Sequence, residues 1–342
     1  MRPKGKVNSW TVRAGLALCA SLAAAGLTGV AAGTSGAATA ESTLHVAYLS
    51  FAVQNSYDAP MLAAAQTAAK ANKVVLQVFD ADNSTTTQYS QFQDAITAHR
   101  FQGIIVQPIF GTGLLGLVRQ AIADHIAVAN LDQELGPNLS TDQPQVKGLG
   151  VNVVFVPTEI GTKLGELVDH ACAKLNPCSV GYLYDIKASA LDVAIRGAFD
   201  NAIAPDKNVK IVANGQSYFT PSDGLSAVQD MLEADPNINL IVGSDQGIEG
   251  AQEAVAGAGK TGKVILVGYG ASAAALRGIR SGAWYGDVAQ LPATEGRIAV
   301  EDLASFIRTG VASGGVDPVS ELPDGGVITE ANVGLFHAEW PG

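Results

Sequence analysis

Charge is the scarcest feature of this 342-residue chain: Asp, Glu, Lys and Arg make up 15% of it, against 47% hydrophobic residues. So apolar a chain is not intrinsically disordered, a state that needs low hydrophobicity and high net charge. Positive charge is scarcer still. With 21 Lys and Arg against 32 Asp and Glu the formal net charge is −11, and no basic stripe occurs. That excludes a nucleic-acid binder, whose phosphate contacts need clustered cations. Histidine is sparse and scattered: His45, His99, His125, His170 and His337 each stand alone, without a second ligand or a nucleophile at a useful spacing. There is no G-x-S-x-G elbow, since Gly270-Ala271-Ser272-Ala273-Ala274 lacks the closing glycine. Asp80-Ala81-Asp82-Asn83 lacks the glycine and distal glutamate of a calcium loop and reads as a turn and helix cap. No catalytic residue, metal or cofactor is therefore expected. Beyond the first forty residues no apolar run approaches the roughly 20 residues of a membrane span.

Those forty residues read as a secretory signal. Arg2, Lys4, Lys6 and Arg13 give a positive start, Ala14–Leu27 an apolar stretch, and Ala38-Thr39-Ala40 a small-residue cleavage site near Ala40. They hold four positive and no negative side chains, so the mature chain would carry −15 rather than −11. Cysteine is rare too. Of three, Cys19 lies in the leader, preceded by Leu18 rather than the small residue lipidation favours. Cys172 and Cys178 are separated by Ala-Lys-Leu-Asn-Pro, which is neither C-x-x-C nor a metal spacing. In an exported chain this even pair reads as a disulfide, whose short loop adds about 2 kcal/mol of stability.

What is plentiful is alternation. From Leu44, short β-branched runs give way to amphipathic helical stretches: strands at 44–50, 74–79, 104–107 and 126–130, with helices at 58–71, 85–99 and 113–124. Thr85 and Gln88 suggest a capping box for the second helix. Gln133–Gln145, rich in Gly, Pro, Asn and Asp, interrupts the pattern. It then restarts, with strands at 148–155, 179–184, 209–214, 240–243, 264–268 and 283–289 and helices between. The length suits two domains and the pattern two doubly wound, parallel-sheet α/β lobes. Ligands of such sheets sit beyond the strands' carboxyl ends. The residues there include Phe51–Asp58, Gln107–Phe110, Asp132, Asp185–Ser189, Tyr218, Phe219, Ser244, Asp245, Tyr269 and Gln290. Aromatics mixed with amides and carboxylates suit a sugar, whose ring faces stack while its hydroxyls hydrogen-bond.

At these positions the sequence resembles the sugar-type periplasmic binding proteins of ABC importers. The stretches that carry the resemblance are Asn55-Ser56-Tyr57, Asp80–Asn83, Gly103–Pro108, Ile126–Asp132, Gly243-Ser244-Asp245 with Gly250, Val267-Gly268-Tyr269, and Val288-Ala289-Gln290-Leu291-Pro292. Each is weak alone, but their order spans essentially the whole mature chain. The resemblance implies a three-segment hinge, with residues 41–150 and 291–325 in an N-terminal lobe and 151–290 and 326–342 in a C-terminal one. It implies ligand contacts from Asn55, Tyr57, Asp58, Phe110, Asp132, Phe219, Ser244, Asp245, Tyr269 and Gln290. It further implies a monomer that closes on a small sugar-like molecule and docks on an ABC permease outside the cytoplasm. The chain departs from the family at Gly270, where an Asp is usual, at Gln133, where an Arg is frequent, and at Arg196, displaced by one position from the family's Arg.

Two rivals share parts of this pattern. Closure could be read by a membrane sensor instead of a permease. Gly111-Thr112-Gly113-Leu114-Leu115-Gly116, with Asp132 about 20 residues on, fits a dinucleotide fingerprint. It falls in the third strand–helix unit, however, and Pro108-Ile109-Phe110 intervene before the glycines.

Overall fold

The computed structural model describes residues 42–342; the leader at 1–40, its cleavage site and Cys19 lie outside the described residues. The chain runs β1 (Leu44–Ser50), α1 (Asp58–Ala71), β2 (Val74–Asp80), α2 (Thr85–Thr97), β3 (Gly103–Val106), α3 (Gly111–Ala123), β4 (Ala127–Asp132) and β5 (Val151–Val154). It continues through α4 (Pro157–Cys172), β6 (Cys178–Tyr184), α5 (Ala190–Ile203), β7 (Val209–Gln216), α6 (Pro221–Ala234), β8 (Leu240–Val242), α7 (Asp245–Gly257), β9 (Ile265–Gly270), α8 (Ala273–Ser281) and β10 (Gly286–Ala289). The last elements are α9 (Pro292–Thr309), β11 (Gly314–Val316) and β12 (Val327–Thr329).

The strands form two sheets. The first is ordered β2-β1-β3-β4-β5-β11 and is parallel throughout; the second is β7-β6-β8-β9-β10-β12, parallel except for β12. Period-two alternation explains why each sheet is covered on both faces. Val46, Tyr48, Ile105 and Leu131 face Met61 and Ala65 of α1 and Val300 and Leu303 of α9. Their neighbours Ala47, Leu49, Ile104 and Val106 face Phe92 of α2 and Leu117 of α3. The second sheet is sandwiched likewise, with Leu164 and Phe199 on one face and Met231, Ile248 and Leu276 on the other.

The chain passes between the sheets three times: after β5, between β10 and α9, and between β11 and β12. Two details differ from the sequence reading. Val151–Val154 pairs with β4 and belongs to the first sheet, so the first crossing falls after Val154 and not at residue 150. All four of its residues, Asn152 included, are buried, and a run that short does not reveal which sheet it joins. Helix α2 is capped by Ser84, whose Oγ accepts from Thr87 N at 3.2 Å, and not by Thr85. Gln88 is drawn inward instead: its Nε2 donates to Gln107 O at 2.7 Å and its Oε1 accepts from Ile109 N at 2.9 Å. Cys172, ending α4, and Cys178, opening β6, are disulfide-bonded and fully buried.

Candidate functional site: a cavity between the two sheets

In both sheets the chain reverses its winding beside the strand it enters first, β1 and β6, and an open α/β sheet leaves a crevice there. One side chain stitches each crevice. In the first lobe Gln107, just after β3, accepts from Phe51 N at 3.1 Å. Its Nε2 donates to Asp58 Oδ1 at 2.6 Å and to Asp132 Oδ2 at 3.1 Å. In the second lobe Asp185, just after β6, gathers the hydroxyls of Ser217 and Ser244, each at 2.6 Å, and that of Tyr269.

The two crevices face each other across a cavity. Asn55, Tyr57, Asp58, Asp132, Phe219, Ser244, Tyr269 and Gln290, all expected contacts, line it together with Phe51, Gln107 and Gln133. Phe155, Leu191, Gln246 and Trp340 complete the lining. Two of the lining residues, Asp132 and Phe219, hold φ of +70° and +57°, a region that non-glycine residues adopt uncommonly.

Two expected contacts do not reach the cavity. Phe110 precedes the first turn of α3, is 56% exposed and lies over Gly113. Asp245 starts α7, and the helix turns it inward, where Oδ2 accepts from Ser272 N at 2.7 Å. Its partner there is Asp287, whose Oδ1 accepts from Ala271 N at 2.8 Å. Burial raises both carboxyls, and the neighbouring Asp245 raises Asp287 further, so the pair shares one proton.

Two of the three departures from the family pattern, Gly270 and Arg196, have a local cause. Gly270 sits at φ +145°, and a Cβ there would lie 2.6 Å from the Trp340 ring. Glycine thus leaves room for the indole, whose Nε1 donates to Gly270 O at 2.7 Å while its edge meets the Tyr57 ring at 5.3 Å. Arg196 is held away from the cavity by Tyr184 Oη at 2.8 Å, Asn214 Oδ1 at 2.7 Å and Asp200 Oδ1 at 2.7 Å. Trp340 was the least accessible to sequence reasoning, because it arrives from the tail through the third crossing. The available signal was a glycine in place of the family's Asp together with an unassigned tryptophan near the C-terminus. Of the glycines at 111–116, Gly111 is needed for packing: a Cβ there would collide with Glu134 O, so the 133–135 turn occupies the space beside the start of α3, whereas a Cβ on Gly116 would meet nothing.

The lobes touch around the cavity. Gln246 Nε2 of the second lobe donates to Asn55 Oδ1 at 3.3 Å and to Ser56 Oγ at 3.1 Å in the first, and the Phe51 and Phe219 rings meet edge-on at 6.5 Å. Beside the hinge, Thr294 N of α9 donates to Glu339 Oε2 of the tail at 2.8 Å. The cleft is therefore closed.

Two parallel-sheet lobes, a triple crossing and a cavity between the strands' carboxyl ends define a bilobal, cleft-closing α/β binding fold, the type I periplasmic binding protein fold. The chain belongs to the periplasmic binding protein domain family, whose pattern matches residues 46–310. It is 27% identical over 244 residues to the D-allose-binding periplasmic protein of Escherichia coli (strain K12), covering 70% of this chain and 74% of that one. It is 23% identical over 239 residues to the ribose import binding protein of Bacillus subtilis (strain 168), covering 68% and 72%. Among solved structures, an ABC transporter periplasmic solute binding protein from Actinobacillus succinogenes with bound D-allose superposes with a TM-score of 0.74. It is 24% identical and matched over 86% of this chain and 100% of that one.

Proposed function

We propose that this protein is the extracytoplasmic substrate-binding component of an ABC importer, acting as a monomer. It takes a small sugar-like polyol into the interlobe cavity by hinge closure, leaves it chemically unchanged and presents the closed form to a membrane permease. The observation that carries this reading is the cavity's double parentage. Asp58, Gln107 and Asp132 come from one lobe, Ser244, Gln246 and Tyr269 from the other, and Gln290 from a crossing. A ligand touching both walls favours the closed form by its differential contacts with it. Residues 1–40 serve as the export signal, and Asn55, Tyr57, Asp58, Asp132, Phe219, Ser244, Tyr269 and Gln290 contact the ligand. Gln107 and Trp340 join that set. Phe110 and Asp245 leave it.

Thermal-shift screening against pentoses, hexoses and cyclitols tests this. A true ligand at a hundred times its Kd stabilises the fold by about 2.7 kcal/mol, and mass spectrometry should recover it unaltered. No shift with any compound, or turnover of a bound one, overturns the reading.

A further inference from the structure

We propose that the cavity selects a ligand carrying a protonated amine, an amino sugar or aminocyclitol, over its neutral hydroxyl counterpart. This deepens, and rests on, the reading of the protein as a binder of sugar-sized polyols.

Three observations converge on it. First, Asp58 and Asp132 come from different elements, are only 6% and 4% exposed, and meet on a single donor, Gln107 Nε2. Asp132 Oδ1 has no hydrogen-bond partner, although the Tyr57 hydroxyl and Gln133 lie close enough to favour its charged form. A buried carboxylate oxygen left open on a cavity wall is an acceptor awaiting a donor.

Second, the lining supplies these carboxyls with no counter-charge. Among the described residues the cavity is lined by no Lys, Arg or His, and Arg196 is bound elsewhere. The titratable groups facing the pair are Tyr48, Tyr57, Asp80 and Glu295, all acids. Burial accordingly pushes Asp58 up to about 8 and Asp132 to about 7. An ammonium would supply the missing counter-charge and favour ionisation of both.

Third, the rest of the wall is aromatic. Phe51, Tyr57, Phe155, Phe219, Tyr269 and Trp340 all contribute rings. Rings and carboxylates without a competing cation are the surroundings in which a desolvated ammonium is attracted most strongly. A neutral polyol gains less, because its hydroxyls can hydrogen-bond to the carboxyls but bring no charge that favours their ionised form.

The test is a set of matched pairs on pentose, hexose and cyclitol frames, each pair differing only in one hydroxyl replaced by an amine. Kd is measured by calorimetry at pH 7.0 on the mature protein. In every frame that binds, the amine member should bind at least tenfold tighter than the hydroxyl member. Asp132→Asn and Asp58→Asn, which keep the side chain's shape and one acceptor oxygen for Gln107 but cannot ionise, should bring that ratio below threefold. Circular dichroism establishes that both variants are folded. Equal or tighter binding of the hydroxyl members, or a tenfold ratio that persists in both variants, overturns the amine preference while leaving sugar binding intact. If no member of any pair binds, the sugar-sized reading fails, and this inference with it.

Discussion

Asp132 stands at the end of β4 at φ +70°, a conformation that an L residue adopts at a cost of about 1–2 kcal/mol. Asp tolerates that region better than most side chains, and the turn aims its carboxyl at Gln107 and the cavity. Asp132→Ala should weaken ligand binding by about 2 kcal/mol, roughly thirtyfold in Kd by titration calorimetry. An unchanged Kd removes Asp132 from the site. Gly270 has the complementary role of leaving space. In Gly270→Ala the new methyl meets the Trp340 ring and the Asp245 carboxyl, at a φ that only glycine adopts freely. A loss of about 2 kcal/mol or more in denaturant unfolding is expected, with a shift in tryptophan emission from a displaced Trp340. A stability within experimental error of the parent would show that the tail yields without cost. These two residues also mark what was legible. Asp132 could be read as the last residue of a strand. Trp340 could not, because only the folded tail brings it to the cavity.

At the scale of elements, strand and helix order was readable from Leu44 to Thr309, because the apolar period switches cleanly between two and 3.6, whereas β11, Gly-Gly-Val beside β5, carries no such period. What the period does not encode is partnership. Val151–Val154 is buried on both faces and would suit either sheet; it pairs with β4, where Asn152 Oδ1 also accepts from Asn130 Nδ2 at 2.8 Å. Ser244 and Asp245 are adjacent after β8, yet only the first lines the cavity. Asp245 opens α7, and the first helical turn carries it away toward Asp287. The α4–β6 connection rests on a different constraint. The Cys172–Cys178 bond closes a loop six residues apart in sequence, and so short a loop is worth about 2 kcal/mol of unfolded-state entropy. The double variant Cys172→Ala/Cys178→Ala should lose about that much in urea unfolding while ligand affinity stays within twofold, since neither sulfur lines the cavity. A large loss of affinity would mean that the loop positions the second lobe's binding wall.

The whole molecule is asymmetric in how it can hold a ligand. The carboxyls that face the cavity belong to the first lobe, where Asp58 and Asp132 share Gln107. The second lobe's own carboxylate, Asp185, is occupied by Ser217, Ser244 and Tyr269. Its wall therefore offers rings and amides. The two walls are joined directly where Gln246 donates to Asn55 and Ser56. So many buried acids without cations have a consequence for stability. Burial raises Asp58 to about 8, Asp132 to about 7 and Asp185 to about 6, from an ordinary 3.8. Between pH 4 and 8 the folded protein thus holds protons that the unfolded chain has already released, and stability must fall as pH rises through that window. The melting temperature of the ligand-free protein should decline by several degrees from pH 5 to pH 8, opposite to the trend for salt-bridged carboxylates. A flat or rising profile would mean that the cleft opens enough in solution to hydrate these groups. A bound ammonium, which favours the ionised carboxyls, should flatten the decline, whereas a neutral polyol bound to the same fractional saturation should leave more of its slope in place.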